Sequence, residues 1–391
     1  MKRNLRKLKE LHFDVLIIGG GIHGAAIALE AARAGFKTAL IERRDFCQAT
    51  SANSLKILHG GLRYLQKLDF ARMRASICSR HEFMRQVPHL IIPLAFVIPT
   101  YGYGFRNKTL LRTALLINDL IGWKRNAYPD AEMKLPRGKI LSRQKFCQIV
   151  PDTREDQISG AALWYDALVL NTERLTLELI KKACEYEACV ANYVEGTKIL
   201  IQNNRAYGVE ARDNFSGKSI KIIANLIVNA TGPWIEQLLE LPAMTDHNSA
   251  WTRGLNIIVR RKFFTGHAVG FEGDDGNYDV SGSRGSGKRF YFFVPWRGYT
   301  MIGTSYKKYI GDPDQFKIDR KEIEDFVRDI NRIYPRSELR FKEVTNYHAG
   351  LLPMDERRTK NHEEFNLENN SRIIDHSKRH NIRGLYSVKG V

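Results

Sequence analysis

The chain has 391 residues and a formal net charge of +18, from 61 Lys+Arg against 43 Asp+Glu. A content of 43% hydrophobic and 27% charged residues is that of an ordinary globular protein, long enough for two or three cores. No stretch approaches the roughly 20 uninterrupted apolar residues of a membrane span; the longest, residues 90–99, is interrupted by Pro93 and closes on Pro99.

The basic excess would attract phosphates, anionic lipid or nucleic acid. No zinc-finger spacing or RNP-like aromatic motif accompanies it, which argues against nucleic acid. A solvated basic face and an anionic membrane surface remain. Residues 1–11 fit the second: Lys2, Arg3, Arg6, Lys7 and Lys9 accompany Leu5, Leu8 and Leu11 at helical spacing, as in a short interfacial helix. The same segment lacks the apolar middle of a secretory signal. Cys47, Cys78, Cys147, Cys184 and Cys189 form no CxxC pair. The expectation is a reduced, cytoplasmic protein, peripheral on the inner face of a membrane.

Along the chain, residues 13–18 read as a buried parallel strand running into glycines. Residues 22–34 are alanine-rich and read as a helix stopped by Gly35. Residues 37–41 read as a second strand ending at Glu42, which completes one βαβ unit. Helices are expected at 69–86, 108–122 and 173–186. Short strands are expected at 190–194, 198–201, 206–211, 220–223 and 226–229, the last leading into Ala230-Thr231-Gly232. Beyond Trp234, aromatic strands at 254–259, 289–295 and 299–304 alternate with glycine-rich turns, the pattern of an antiparallel sheet in a second domain. Residues 320–333 carry the spacing of an amphipathic helix, and 355–371 reads as a polar surface loop.

Gly19, Gly21 and Gly24 form G-x-G-x-x-G between a strand and a helix, with an acid about 20 residues on, which is the context a dinucleotide site requires. Gly19 permits the tight turn. Gly21 lets a pyrophosphate approach the helix N-terminus, and Gly24 allows close helix–strand packing. Glu42 would accept from ribose hydroxyls. This motif alone does not separate FAD from NAD. The small polar run Thr50-Ser51-Ala52-Asn53-Ser54, and the late return of the chain at Ala230-Thr231-Gly232, fit the longer FAD better.

The run from Ala49 to Leu65, with its His59-Gly60-Gly61-Leu62-Arg63-Tyr64-Leu65 segment, resembles the signature of FAD-dependent respiratory glycerol-3-phosphate dehydrogenases within the D-amino acid oxidase-like family. Asn229-Ala230-Thr231-Gly232-Pro233-Trp234, Ile302-Gly303-Thr304 and Gly311-Asp312-Pro313 agree with it. The resemblance implies an α/β (overall α+β) fold. A Rossmann-type FAD domain of the glutathione-reductase kind would take residues 1–90, 150–250 and 345–391. A substrate domain with an antiparallel sheet would take 91–149 and 251–344. It also implies oxidation of a small anionic secondary alcohol by hydride transfer to FAD, with a quinone-type acceptor. Implied cofactor contacts include Ile22, His23, Arg43, Thr50, Ser51, Ser54, His59, Gly60, Gly61, Leu62, Val194 and Trp234, beside the glycines, Glu42 and Ala230-Thr231-Gly232. Implied substrate contacts are Arg63 and Tyr64, with Arg372 as a second anion-binding arginine.

Departures from the family pattern fall on the substrate side. Leu352 stands for an arginine before the proline, Asn256 for a histidine that could accept a proton, and Tyr306 for an aspartate; Leu170-Asn171-Thr172-Glu173-Arg174 differs from paired aspartates. Asparagine can hydrogen-bond a hydroxyl but is not a base, so His348 is the alternative base candidate. Residues 386–391 look like the start of the family's last flavin-contacting strand and turn, where the family continues with a lysine and paired threonines. The expectation is a truncated chain lacking one wall of that site. Two other readings stand beside the alcohol dehydrogenase: an amino or 2-hydroxy acid oxidase on the same scaffold, and a flavin-binding membrane-surface module whose catalytic site has decayed.

Overall fold

The computed structural model describes residues 2–101, 107–127, 131–151, 158–239, 250–274, 288–354 and 371–390. One sheet has the strand order Arg372–Asp375, Leu385–Lys389, Ser219–Asn229, His12–Ile18, Thr38–Ile41, Cys189–Ala191. From Leu385–Lys389 to Cys189–Ala191 every pairing is parallel. Ile17, Leu40, Val190 and Val228 enter one core, while Leu16, Ile18, Ala39, Ile41 and Ile227 enter another. This is the two-residue period of a pleated strand, and covering both faces explains the continuous apolar runs. Each such leucine, isoleucine or valine taken from water contributes about 1.5–3 kcal/mol. Helices Ile22–Arg33 and Thr172–Glu185 cover the first face through Ala25, Ala28, Leu29, Leu175 and Leu179.

The strands expected at 220–223 and 226–229 are one strand, Ser219–Asn229. Its first half pairs antiparallel with Arg205–Asp213 and its second half parallel with His12–Ile18. Ala224 continues the pleat between the halves because it is itself buried in the core.

The other sheet runs Val344–Pro353, Ala250–Val259, Tyr299–Ile310, Lys288–Trp296, His267–Asp274, Ile91–Tyr101, Ile158–Val169, Ile57–Leu58, with Lys139–Ser142 also on Ile158–Val169. Its pairings are antiparallel except that of His267–Asp274 with Ile91–Tyr101. The apolar stretch at 90–99 is thus a central strand. The division expected at residues 150 and 345 is displaced. Ile158–Val169 and Val344–Pro353 belong to the antiparallel sheet, the first because it pairs along its length with Ile91–Tyr101. Helix Arg320–Ile333 covers this sheet with Ile323, Phe326, Val327 and Ile330, as its periodicity predicts.

The N-terminal arm is not the interfacial helix its spacing suggests. Helix Leu5–Glu10 turns Leu8, fully buried, and Leu5 onto the core of the parallel sheet. Arg3 pairs with Asp213 and lies over the Phe215 ring. The leucine face is consumed by packing, and only Leu11 of the three stays exposed. Among the described residues no helix is long and apolar enough to cross a membrane. The expected polar loop at 355–371 lies, apart from residue 371, outside the described residues.

Candidate active site

A cavity of about 1440 Å³ opens where the carboxyl ends of the parallel strands meet the antiparallel sheet, the crevice such sheets use for ligands. Gly19 has φ +107°, and a Cβ there would lie 2.5 Å from the Ala230 carbonyl oxygen. At Gly24 a Cβ would lie 1.8 Å from the Gly19 carbonyl oxygen. The loop, the helix and the strand end at Ala230 can close up only on glycine. Gly21, Ile22 and His23 line the cavity, and the Ile22 N–H donates to the Ser51 hydroxyl (3.1 Å). The Gly20 and Arg44 N–H groups donate to the two carboxylate oxygens of Glu42 (2.7 and 2.9 Å). Each of those oxygens keeps a lone pair for a ribose hydroxyl. Burial pushes the His23 imidazole below its ordinary pKa, which favours its neutral form.

Other expected cofactor residues also line this space: Thr50, Ser54, His59, Ala230, Thr231, Gly232, Trp234 and Arg43. Their turns are fixed from behind. The Thr231 hydroxyl donates to the side-chain oxygen of buried Asn229 (2.7 Å), whose amide donates to the Ile235 carbonyl (2.9 Å). The Thr50 hydroxyl donates to the Leu351 carbonyl (2.9 Å) and ties the loop that follows Thr38–Ile41 to the antiparallel sheet. Arg43 is partly committed elsewhere: it stacks 4.1 Å from the Trp234 ring and pairs with Asp314 at 2.6 Å. A tight glycine turn, a carboxylate and small hydroxyls along an elongated cleft fit a flavin dinucleotide.

The cavity does not reach Gly24, Gly60, Gly61, Leu62 or Val194. These build the wall. Gly60 abuts the Arg80 guanidinium and donates to Asp166 (2.5 Å). Gly61 is the left-handed cap of the 3-10 turn Leu62–Lys67, Leu62 packs beside Leu115 and Trp164, and Val194 donates to the Glu42 carbonyl from the core (2.8 Å).

At the substrate end, Tyr64 lines the cavity. The Arg63 backbone lies in the same 3-10 turn, and its side chain is outside the described residues. Asn256 lines the cavity but is 2% exposed, and its side-chain oxygen accepts from the Thr304 hydroxyl (2.8 Å). Leu352 and Tyr306, two of the departures, line it as well. His348 and Arg372 do not. His348 lies opposite Asn256 in the sheet, with its ring against Trp296 and the Ser54 carbonyl, and burial, reinforced by Lys56, pushes its pKa down. Arg372 pairs across the sheet edge with Lys389, and that edge contributes Ser371, Lys389 and Gly390 instead.

Three groups stand out beyond those expected. Lys56 is 2% exposed and donates to the Ala52 carbonyl and the Thr172 hydroxyl (3.0 and 2.8 Å), with Glu173 at 3.4 Å. Asp166 is buried and binds Arg80, the Gly60 N–H and the Trp164 indole N–H (3.0 Å), while His59 Nδ1 lies 3.9 Å away. The His59 side chain is half exposed at the cavity wall. Arg72 stacks over the Tyr64 ring, 4.2 Å from its centroid. An aspartate inside the apolar run 161–169 was a legible signal for the second, since carboxylates are buried only when partnered.

Comparison with known proteins agrees with this geometry. Residues 14–387 match the DAO family, FAD dependent oxidoreductase. A glycerol-3-phosphate dehydrogenase of Synechocystis sp. is 28% identical over 399 residues, covering 99% of this chain and 68% of that protein. An alpha-glycerophosphate oxidase of Streptococcus pyogenes serotype M1 is 30% identical over 382 residues, covering 96% and 59%. The FAD complex of glycerol-3-phosphate dehydrogenase from Bacillus halodurans superposes with a TM-score of 0.68 at 24% identity, covering 98% of this chain and 62% of that one. The chain thus spans about three fifths to two thirds of the length of these relatives. With residues 14–387 matched, the chain belongs to the family of FAD-dependent oxidoreductases.

Proposed function

We propose that this protein is an FAD-dependent dehydrogenase that oxidises the secondary alcohol of a small anionic substrate of the glycerol 3-phosphate type and passes the electrons to a quinone-type acceptor. The observation that carries the reading is the single cleft. Its dinucleotide end, at Gly19, Gly21 and Glu42, is continuous with an end that presents Tyr64, His59 and Arg72. The relatives named for glycerol 3-phosphate and alpha-glycerophosphate support the substrate class. Bound FAD supplies the hydride acceptor, and the protein orients the alcohol and excludes water.

His59 is the side chain suited to hold the hydroxyl proton. It faces the cavity, with the Asp166 carboxylate, itself paired with Arg80, 3.9 Å from its Nδ1. It takes the role that Asn256 cannot perform and that His348, outside the cavity, is not positioned for. Arg63, by family resemblance, contributes a guanidinium suited to a phosphate or carboxylate. The net charge of +18 supports a peripheral place on an anionic bilayer, where a quinone acceptor would be at hand.

Anaerobic addition of glycerol 3-phosphate to the flavin-loaded protein tests this directly. Bleaching of the flavin band is the expected result. A yellow protein bleached only by amino or 2-hydroxy acids would replace the alcohol reading. One bleached by neither would mark a decayed site.

A further inference from the structure

Resting on the reading that the cleft takes an anionic substrate, we infer that Arg72, steadied on Tyr64 and on one helix face with Ser76 and Ser79, is the oxyanion-binding group that stands in for the arginine missing at Leu352. Helix Phe70–Gln86 places residues 72, 76 and 79 on one face by its i, i+4, i+7 spacing. All three line the cavity, as does Leu352. The Arg72 guanidinium lies 4.2 Å from the centroid of the Tyr64 ring. Such stacking fixes the plane of the guanidinium and spends none of its five N–H donors.

Charge accounting on this helix singles out the residue. Arg80 also lines the cavity, but it is 3% exposed and neutralised by Asp166, with a further bond to the Tyr165 carbonyl. Asp69, the nearest acid in sequence, caps the helix by accepting from the Arg72 backbone N–H (3.0 Å). Among the described residues no carboxylate forms an ion pair with the Arg72 side chain. A half-buried guanidinium on a cavity wall that also carries two serines suits a phosphate or a carboxylate. In a cleft already flanked by cations, a neutral alcohol would gain nothing from it. Arg72 is therefore a specificity-determining residue. It holds the anionic end of the substrate, while the groups near Tyr64 and His59 hold the alcohol.

The test uses flavin-loaded wild type, Arg72→Gln and Arg72→Lys. Calorimetric titration with inorganic phosphate, and separately with glycerate as a carboxylate, reports binding without turnover. Steady-state kinetics compare glycerol 3-phosphate with glycerol. The expected result is a loss of phosphate affinity of about tenfold or more in Arg72→Gln, the scale of a charged hydrogen-bond set. KM for glycerol 3-phosphate rises in parallel and by more than that for glycerol, while flavin content stays unchanged. Arg72→Lys keeps the charge without the fork and retains part of the affinity. Whichever of phosphate and glycerate loses more on substitution identifies the natural anion. Phosphate binding that survives Arg72→Gln overturns the inference, as does an equal rise in KM for glycerol. Equal loss in both variants with a lowered Tm assigns Arg72 a purely structural part and overturns it too. Arg72-dependent phosphate binding in a protein that no glycerol 3-phosphate can bleach would sustain the anion site while removing the proposed substrate.

Discussion

Gly24→Ala is the sharpest probe of the dinucleotide cleft. The new methyl would lie 1.8 Å from the Gly19 carbonyl oxygen and 3.4 Å from Ile17 Cγ2. The first contact is backbone, so no side chain can swing away. Relieving it requires helix Ile22–Arg33 to lift from the glycine loop by about 1.5 Å, and interiors at crystal-like density do not yield that distance freely. Overpacking of this kind costs about 1–3 kcal/mol and at times more, against roughly 1 kcal/mol returned by alanine's helix propensity. The net loss of about 0–2 kcal/mol corresponds to a fall in Tm of at most a few degrees for a chain of this size. The larger effect is on the cofactor, because the displaced elements are the ones that would approach its pyrophosphate. FAD affinity is expected to drop by about tenfold or more, the equivalent of 1.4 kcal/mol. Flavin absorbance per protein after gel filtration, and fluorescence titration of the apoprotein with FAD, measure it. Full flavin content at an unchanged Tm would refute the argument that this helix is locked to the loop.

Asp166→Ala would strand Arg80 as an unpaired buried cation. A loss of about 3–5 kcal/mol is expected in urea unfolding, far more than for Arg72→Gln. Arg63→Ala should raise KM for an anionic substrate with flavin content unchanged; flavin loss at intact KM would remove it from the substrate site. Burial, then His380, pushes the His376 imidazole down to about 4, with its ring nitrogens bonded to His380 and Ser387 at 2.8 Å. The unfolded chain takes up this proton near pH 6.5 and the folded one does not. The stability is therefore whole above pH 6.5 and lost as pH falls towards 4. His376→Gln should flatten the wild-type decline in Tm over that window. The Ser216 hydroxyl, then Arg3, hold the Asp213 carboxyl down at about 2. Its contribution is whole above pH 4 and lost as pH falls towards 2, so Ser216→Ala should unfold at a higher pH in an acid titration; an unmoved midpoint would count against the pairing.

The cofactor half of the molecule was legible in the residues because it is local. A strand, three glycines, a helix and an acid lie within about 30 residues, and the chemistry of backbone approach is written in the glycines themselves. The helices expected at 69–86 and 108–122 form as Phe70–Gln86 and Lys108–Ile121, and the one at 320–333 was legible from its periodicity. What only the tertiary structure decided is non-local. Residues 90–99 and 158–169 are apolar runs whose partner strands lie far along the chain, so their pairing could not be read from either alone. The leucines of the N-terminal arm have the spacing of a membrane-facing helix, and nothing in that spacing distinguishes a lipid surface from the protein's own sheet; Leu8 chose the sheet. The proposed substrate end follows the same rule. Leu352 stands far along the chain from Arg72 and Tyr64, and only the folded chain brings them to one cavity, because charge complementarity acts through space and leaves no periodic trace in sequence.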